Sequence, residues 1–189
     1  MGRPLDRSLG VTFFALAVST FSLAACGDGH DPNTPSRPLP TYAGRSADLF
    51  DDAIEPAAVG LDFDKGYTPR GDPTLRERSQ VSDAVLRVRV ATVTTKKDGP
   101  ESLFQLGLHT VEKVTGQNVP PSDFTVQINK ASESHGIMKN MESRLVGHAF
   151  VAFVREFVKA DGEREYHFHL SPDTKEVKLA VSEALVLGE

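Results

Sequence analysis

From Ser82 onward apolar residues recur at every second position, and no other feature of the chain constrains its fold as tightly. A β-strand turns successive side chains to opposite faces, so this period selects half-buried strands over helices. In DAVLRVRVATVTT, Leu86, Val88 and Val90 share one side while Arg87 and Arg89 share the other. SLFQLGLHTVEKV, residues 102–114, alternates again with Phe104, Leu106 and Leu108 together, and FTVQIN, residues 124–129, reads as a third strand. The Gly-Pro pair of KKDGPE predicts the turn between the first two. LVGHAFVAFVREFVK is the most apolar strand, dominated by β-branched and aromatic residues. Asp161-Gly162 then predicts a two-residue hairpin turn, with REYHFHLS as the returning strand.

Two segments break the alternation with a helical period. SESHGIMKNMESRL places Met138, Met141 and Leu145 on one side, where the methionines read as core filler. Near the end, Asp173 and Glu176 form a capping-box pattern ahead of the stripe Val177, Ala180, Val181, Ala184 and Leu185, which predicts a C-terminal helix docked on the sheet. The order strand, strand, strand, helix, strand, strand resembles the OB-fold. The expectation is therefore a β-rich fold, all-β to α+β. It is either a small OB-like five-stranded antiparallel barrel or a more open sheet, with a short interior helix and a C-terminal helix.

Upstream of the strands the signals weaken. ADLFDDAIEPAAVG, residues 47–60, predicts a short helix with Leu49, Phe50 and Ile54 on one side and Pro56 ending it. Residues 61–73 read as a loop, and Asp62 and Asp64 lack the later ligands of a calcium loop. Residues 27–46 are rich in Gly, Pro, Asp and Ser, the composition of a flexible to extended tether. Before it, Arg3 and Arg7 precede residues 9–25, a run without charge at the lower limit for a spanning helix; diluted by Gly, Ser and Thr and followed by no basic stop-transfer cluster, it reads as a signal peptide and not a permanent anchor helix.

That run ends in Leu23-Ala24-Ala25-Cys26, which resembles the lipobox of bacterial lipoproteins. The resemblance covers residues 1–26. It implies a signal peptide over 1–25, cleavage before Cys26, and a diacylglycerol (palmitate-type) chain on the Cys26 thiol. It also implies a cell-envelope location on a bacterial membrane. Gly27 after the cysteine favours the outer membrane, periplasmic or surface-facing. Acyl chains contribute about 0.8 kcal/mol per buried CH₂, so two or three make a stable anchor. Loss of Arg3, Asp6 and Arg7 moves the net charge from −5 to −6, so the lipid and not the protein surface must hold the membrane. The predicted organisation is signal peptide 1–25, lipidated Cys26 and tether 26–46, short helix and loop 47–81, and a β-rich domain 82–189.

Composition excludes several roles. A net charge of −5 leaves no electrostatic footprint for nucleic acid. A single cysteine forms no internal disulfide, so the core must stabilise the fold unaided. No nucleophile elbow, zinc-protease motif or phosphate loop occurs. One constellation merits weighing. With Asp161-Gly162 as the turn, Glu156, His167 and His169 share a strand face and form a candidate metal set, against the plainer reading of a solvated polar stripe. Arg87, Arg89 and Arg155 form a second candidate, an anion-binding face. His148 reads as a hydrogen-bonded histidine at the core edge, and His109 and His135 as isolated. Together these features predict a non-enzymatic, membrane-tethered binding or assembly module that meets an envelope protein or glycan and needs no cofactor. The alternatives are a small-molecule or metal-binding lipoprotein, then a hydrolase of unrecognised type.

Overall fold

A computed structural model describes residues 38–61, 66–98 and 101–188. The signal segment, Cys26, the tether up to residue 37, Asp62, Asp64 and the Gly99-Pro100 turn lie outside the described residues. The compact unit begins at Pro38. Residues 38–46 therefore belong to it and not to the tether, because Pro40 and Tyr42 find partners in the sheet.

In chain order the elements are helix α1 (Arg45–Leu49), strand β1 (Ala53–Ile54), a 3-10 turn (Pro56–Val59), helix α2 (Pro73–Val81), strands β2 (Ala84–Asp98), β3 (Glu101–Gly116) and β4 (Asp123–Ile128), helix α3 (His135–Leu145), strands β5 (Ala149–Val158) and β6 (Arg164–Pro172), and helix α4 (Lys175–Val186). They build one curled, open half-barrel sheet in the order β1-β6-β5-β2-β3-β4. All pairs are antiparallel except the two-residue β1 beside β6. Three register shifts along β2 mark bulges, which bend a strand and increase its twist.

Both faces of the central strands are buried. On the concave side Leu86, Val88, Leu106, Phe124, Val126, Phe150, Val154, Phe168 and Leu170 enclose Met138 and Leu145 of α3. On the other side Val85, Val151, Phe153 and Phe157 pack under Leu49 and Phe50, Leu75 of α2, and Val177, Ala180 and Val181 of α4. Fully burying such a side chain contributes about 1.5–3 kcal/mol, so the second layer supplies much of the stability that disulfides would otherwise provide. No helix among the described residues is long and apolar enough to cross a membrane.

Local details differ from the sequence expectation for physical reasons. The predicted helix over 47–60 is a single turn followed by β1, and Ile54 is a strand residue. Helix α2 escaped the apolar period because it buries Arg78 and Ser79 beside Leu75. Its start was nonetheless marked: the Asp72 carboxylate accepts from Thr74 N–H at 2.8 Å, with Pro73 at the first position. In α4 the cap is Thr174, whose side chain accepts from Val177 N–H. Asp173 instead binds Arg87 at 2.7 Å and Lys178 at 3.0 Å.

Candidate functional site

Strand β6 turns His167 and His169 to the same side, and the register decides what they meet. The β5–β6 turn is one residue longer than predicted. Gly162 adopts a left-handed φ of 87°, its N–H donates to Lys159 O at 3.0 Å, and Lys159 N–H donates to Glu163 O at 2.8 Å. This is the three-residue loop with a left-handed glycine. The extra residue places His167 opposite Arg155, His169 opposite Phe153, and Glu156 opposite Tyr166. A one-residue slip exchanges the two faces of a strand. Glu156 thus leaves the histidines for the other face, where it pairs with Arg164 at 3.5 Å. The predicted Glu156/His167/His169 metal set is not assembled, and no group of three metal-ligating side chains occurs among the described residues.

What the histidines meet is the segment after α1. Asp52 has a left-handed φ of 50°, a conformation Asp tolerates better than most residues. Asp51 and Asp52 are consecutive, yet they reach two imidazoles two residues apart on one strand face. Asp52 Oδ2 lies 2.7 Å from His167 Nδ1, and Asp51 Oδ1 lies 2.8 Å from His169 Nδ1. Asp52 also accepts from Phe168 N–H at 3.2 Å and donates its own N–H to Phe168 O at 3.0 Å. Glu165 Oε1 sits 3.1 Å from His167 Nε2, within ion-pair range but off the hydrogen-bonding axis. Glu55 Oε2 stands 3.7 Å from His169 Nε2, too far for a hydrogen bond. Tyr42 covers the seam, its ring stacked on His167 at 3.3 Å and 2°, its hydroxyl donating to Phe50 O at 2.6 Å.

Burial and charge oppose each other here. Burial by itself would lower the His167 pKa, but the hydrogen bond and charge of Asp52, with Glu165, outweigh it and raise the value above 6.5. Burial raises Asp52 above 3.8, against the pull of His167 and the Phe168 amide. Burial also raises the Tyr42 phenol, and the carboxylates of Asp52, Asp51 and Glu165 add to the effect. The phenol therefore sits in a negative potential. Beneath the seam, Arg78 donates from Nε to Leu49 O at 2.6 Å and lies 5.8 Å from the Phe153 ring centre. Burial lowers its pKa while Asp51 and Glu55 pull the other way.

The arginine face does not converge. Arg87 is neutralised by Asp173 and stands opposite Val151, and Arg89 stands opposite Ala149. Arg155 is farther along β5, its guanidinium 5.6 Å from the Phe157 ring centre. His148, just before β5, donates from Nε2 to Ala58 O at 2.9 Å, as expected of a hydrogen-bonded histidine at the core edge. His109 pairs with Asp123 across β3 and β4 at 2.8 Å, and His135 lies against the Phe104 ring. An open cleft of about 620 Å³ adjoins the seam, lined by Glu55, Leu61, Tyr67, Arg70 and Asp72 among others. Sequence reasoning missed Asp51, Asp52 and Tyr42. The paired acids beside a buried Phe50 were the available signal, hidden by reading them as the polar face of a helix. The chain matches no protein-family model, and no curated protein is significantly similar to it.

Proposed function

We propose that the chain is a lipid-anchored module of a bacterial cell envelope, attached through Cys26 and working by binding or assembly without catalysis. The observation that carries this reading is the order of signals at the N-terminus: Arg3 and Arg7, an uncharged run over 9–25, and Leu23-Ala24-Ala25-Cys26. The composition of residues 26–37, rich in Gly and Pro, supports it as that of a spacer. On this reading the outer membrane is the destination, and the partner is an envelope protein or a glycan. The test is labelling of producing cells with a clickable palmitate analogue. Label on the wild-type chain and none on Cys26→Ser, which shifts to the soluble fraction, is the expected result. Label and membrane partitioning retained by Cys26→Ser would overturn the proposal.

The cleft beside Glu55 and Tyr67 favours a second reading, a lipoprotein that binds a small polar molecule. Native mass spectrometry of the chain purified from cells checks it: a bound mass lost in Tyr67→Ala supports it, and a bare chain removes it.

A further inference from the structure

We infer that the groove between the open edge of β2 and helix α3 is a docking site for an extended, acidic peptide strand of a partner, which adds to the sheet beside Val93 and Thr95. Strand β2 outruns its neighbour: its pairing with β5 stops at Arg89 opposite Ala149. The last bonds on that side run from Val90 N–H to His148 O at 2.9 Å and from Gly147 N–H to Val90 O at 2.8 Å. There Gly147, with a left-handed φ of 82°, turns the chain out of α3 into β5, and the bulge between Val90 and Thr92 bends β2. Strand β2 nevertheless continues to Asp98, paired from one side by β3.

The alternation of the ladder fixes which backbone groups are left over. Thr110 N–H donates to Ser122 O at 2.7 Å, so Leu108, Leu106 and Phe104 turn their N–H and C=O toward β4, while Gly107 and Gln105 turn theirs toward β2. Thr92 and Thr94, opposite those two, therefore bond β3, and Val93 and Thr95 point their N–H and C=O out of the sheet edge. Among the described residues nothing bonds those groups on that side. The edge at β1 is treated differently. Ser134 Oγ accepts from Ile54 N–H at 2.6 Å and donates to Ile54 O at 3.2 Å, standing in for a neighbouring strand.

Beside the open groups lies a groove of about 390 Å³, lined by Val93, Lys139, Asn140, Glu142, Ser143 and Val146. Lys139, Glu142, Ser143 and Val146 are spaced i, i+3, i+4, i+7 and so share one flank of α3 and its C-cap. Helix α3 turns Met138 and Leu145 into the core, whereas Val146 is 54% exposed. At a strand edge walled by a helix, an added strand gains affinity from main-chain bonds and selectivity from side-chain pockets. Val93 and Val146 offer an apolar contact to one side chain of the guest. Charge chooses its flanks: Lys139 lines the groove, Lys96 and Lys97 follow along β2, and Glu142 accepts from Thr95 Oγ1 at 3.4 Å. On a chain of net charge −5, this groove thus favours carboxylates. The inference rests on the binding-module reading proposed above and gives that module a surface.

The probe is a capped peptide of alternating Val and Thr with Asp at both ends, added to the whole chain in detergent and followed by amide NMR. Shift changes should centre on Val93, Thr95, Lys139 and Val146, and exchange of the Val93 and Thr95 amides should slow about tenfold at saturation. N-methylating one alternate set of peptide residues should weaken binding about tenfold and the other set little, because one set of N–H groups meets β2. Thr95→Pro removes an outward N–H at an edge position that accepts proline and should weaken binding similarly, whereas Thr125→Pro on β4 should not. A probe with Lys in place of Asp should bind more weakly, and Lys139→Glu should remove that preference. No shift at Val93 and Thr95 with peptide at about 1 mM, or shifts centred on Thr125 and Gln127, overturns the inference. Equal loss from both N-methylated sets overturns strand addition, and tighter binding of the Lys-ended probe overturns the acidic partner. Failed palmitate labelling would leave this groove standing, and a failed titration would leave the Cys26 anchor standing.

Discussion

At the scale of single residues, Asp52 bears three demands at once: a left-handed backbone, a hydrogen bond to Phe168 N–H, and a carboxylate against His167. Its side chain and that of His167 are 13% and 12% exposed, so neither charge is well hydrated without the other. Removing one partner of such a pair costs roughly 3 kcal/mol or more, because the survivor stays buried and unpaired. Asn shares the tolerance for a left-handed φ and still accepts a hydrogen bond. Asp52→Asn should therefore cost about 1 kcal/mol and Asp52→Ala about 3 kcal/mol in urea unfolding at pH 6. The pH dependence gives a second signature. Both the His167 and the Asp52 pKa values are raised on folding, so the folded state holds protons more tightly than the unfolded one. The His167 contribution is full below 6.5 and disappears as pH rises through its raised folded value. Wild-type stability should decline across that window, and the decline should shrink in Asp52→Asn.

Elements are placed by register, and register depends on a few backbone positions. Gly116 ends β3 with φ 114°, and a Cβ there would lie 2.2 Å from Asp83 O, a backbone atom with no room to yield. Gly116→Ala should cost about 3 kcal/mol, combining strain with collision, and should lower the unfolding midpoint without changing the urea slope. Strand existence was legible in the sequence because alternation marks β2, β3 and β4 and an apolar, β-branched run marks β5, while a helical stripe marks α4. Face assignment was not legible for β5 and β6. Phe153 and Phe157 belong to a second core under the helices, so polar and apolar residues no longer sort by solvent exposure. The single extra loop residue at Gly162 then exchanged the predicted partners of His167. Titration with Zn²⁺ measures this directly. With Glu156 on the opposite face, excess zinc should leave the melting temperature within about 1 °C, since binding to the folded state alone would raise it. A rise of several degrees that Glu156→Ala abolishes would restore the two-residue turn.

For the whole molecule, the question is where the folded unit begins. Composition alone places the boundary near residue 46, because Gly, Pro and Ser dominate up to there. The structure moves it to Pro38, and the reason is specific to two side chains. Tyr42 closes the histidine–carboxylate seam between its stack on His167 and its edge contact with Phe157. Arg45 binds Glu77 at 3.0 Å and so links α1 to α2. The Arg45 pair is exposed and screened by solvent, so Tyr42 dominates the difference. Losing a half-buried aromatic ring and its hydroxyl bond costs on the order of 2 kcal/mol. A chain of this size shifts its melting temperature by roughly 2–4 °C per kcal/mol. A form beginning at residue 38 should therefore melt with the full chain, whereas one beginning at residue 47 should melt about 4–8 °C lower. Tyr42→Ala in the longer form should reproduce most of that loss, and Arg45→Ala little of it. Equal melting of the two truncations would return residues 38–46 to the tether and leave the seam without its cover.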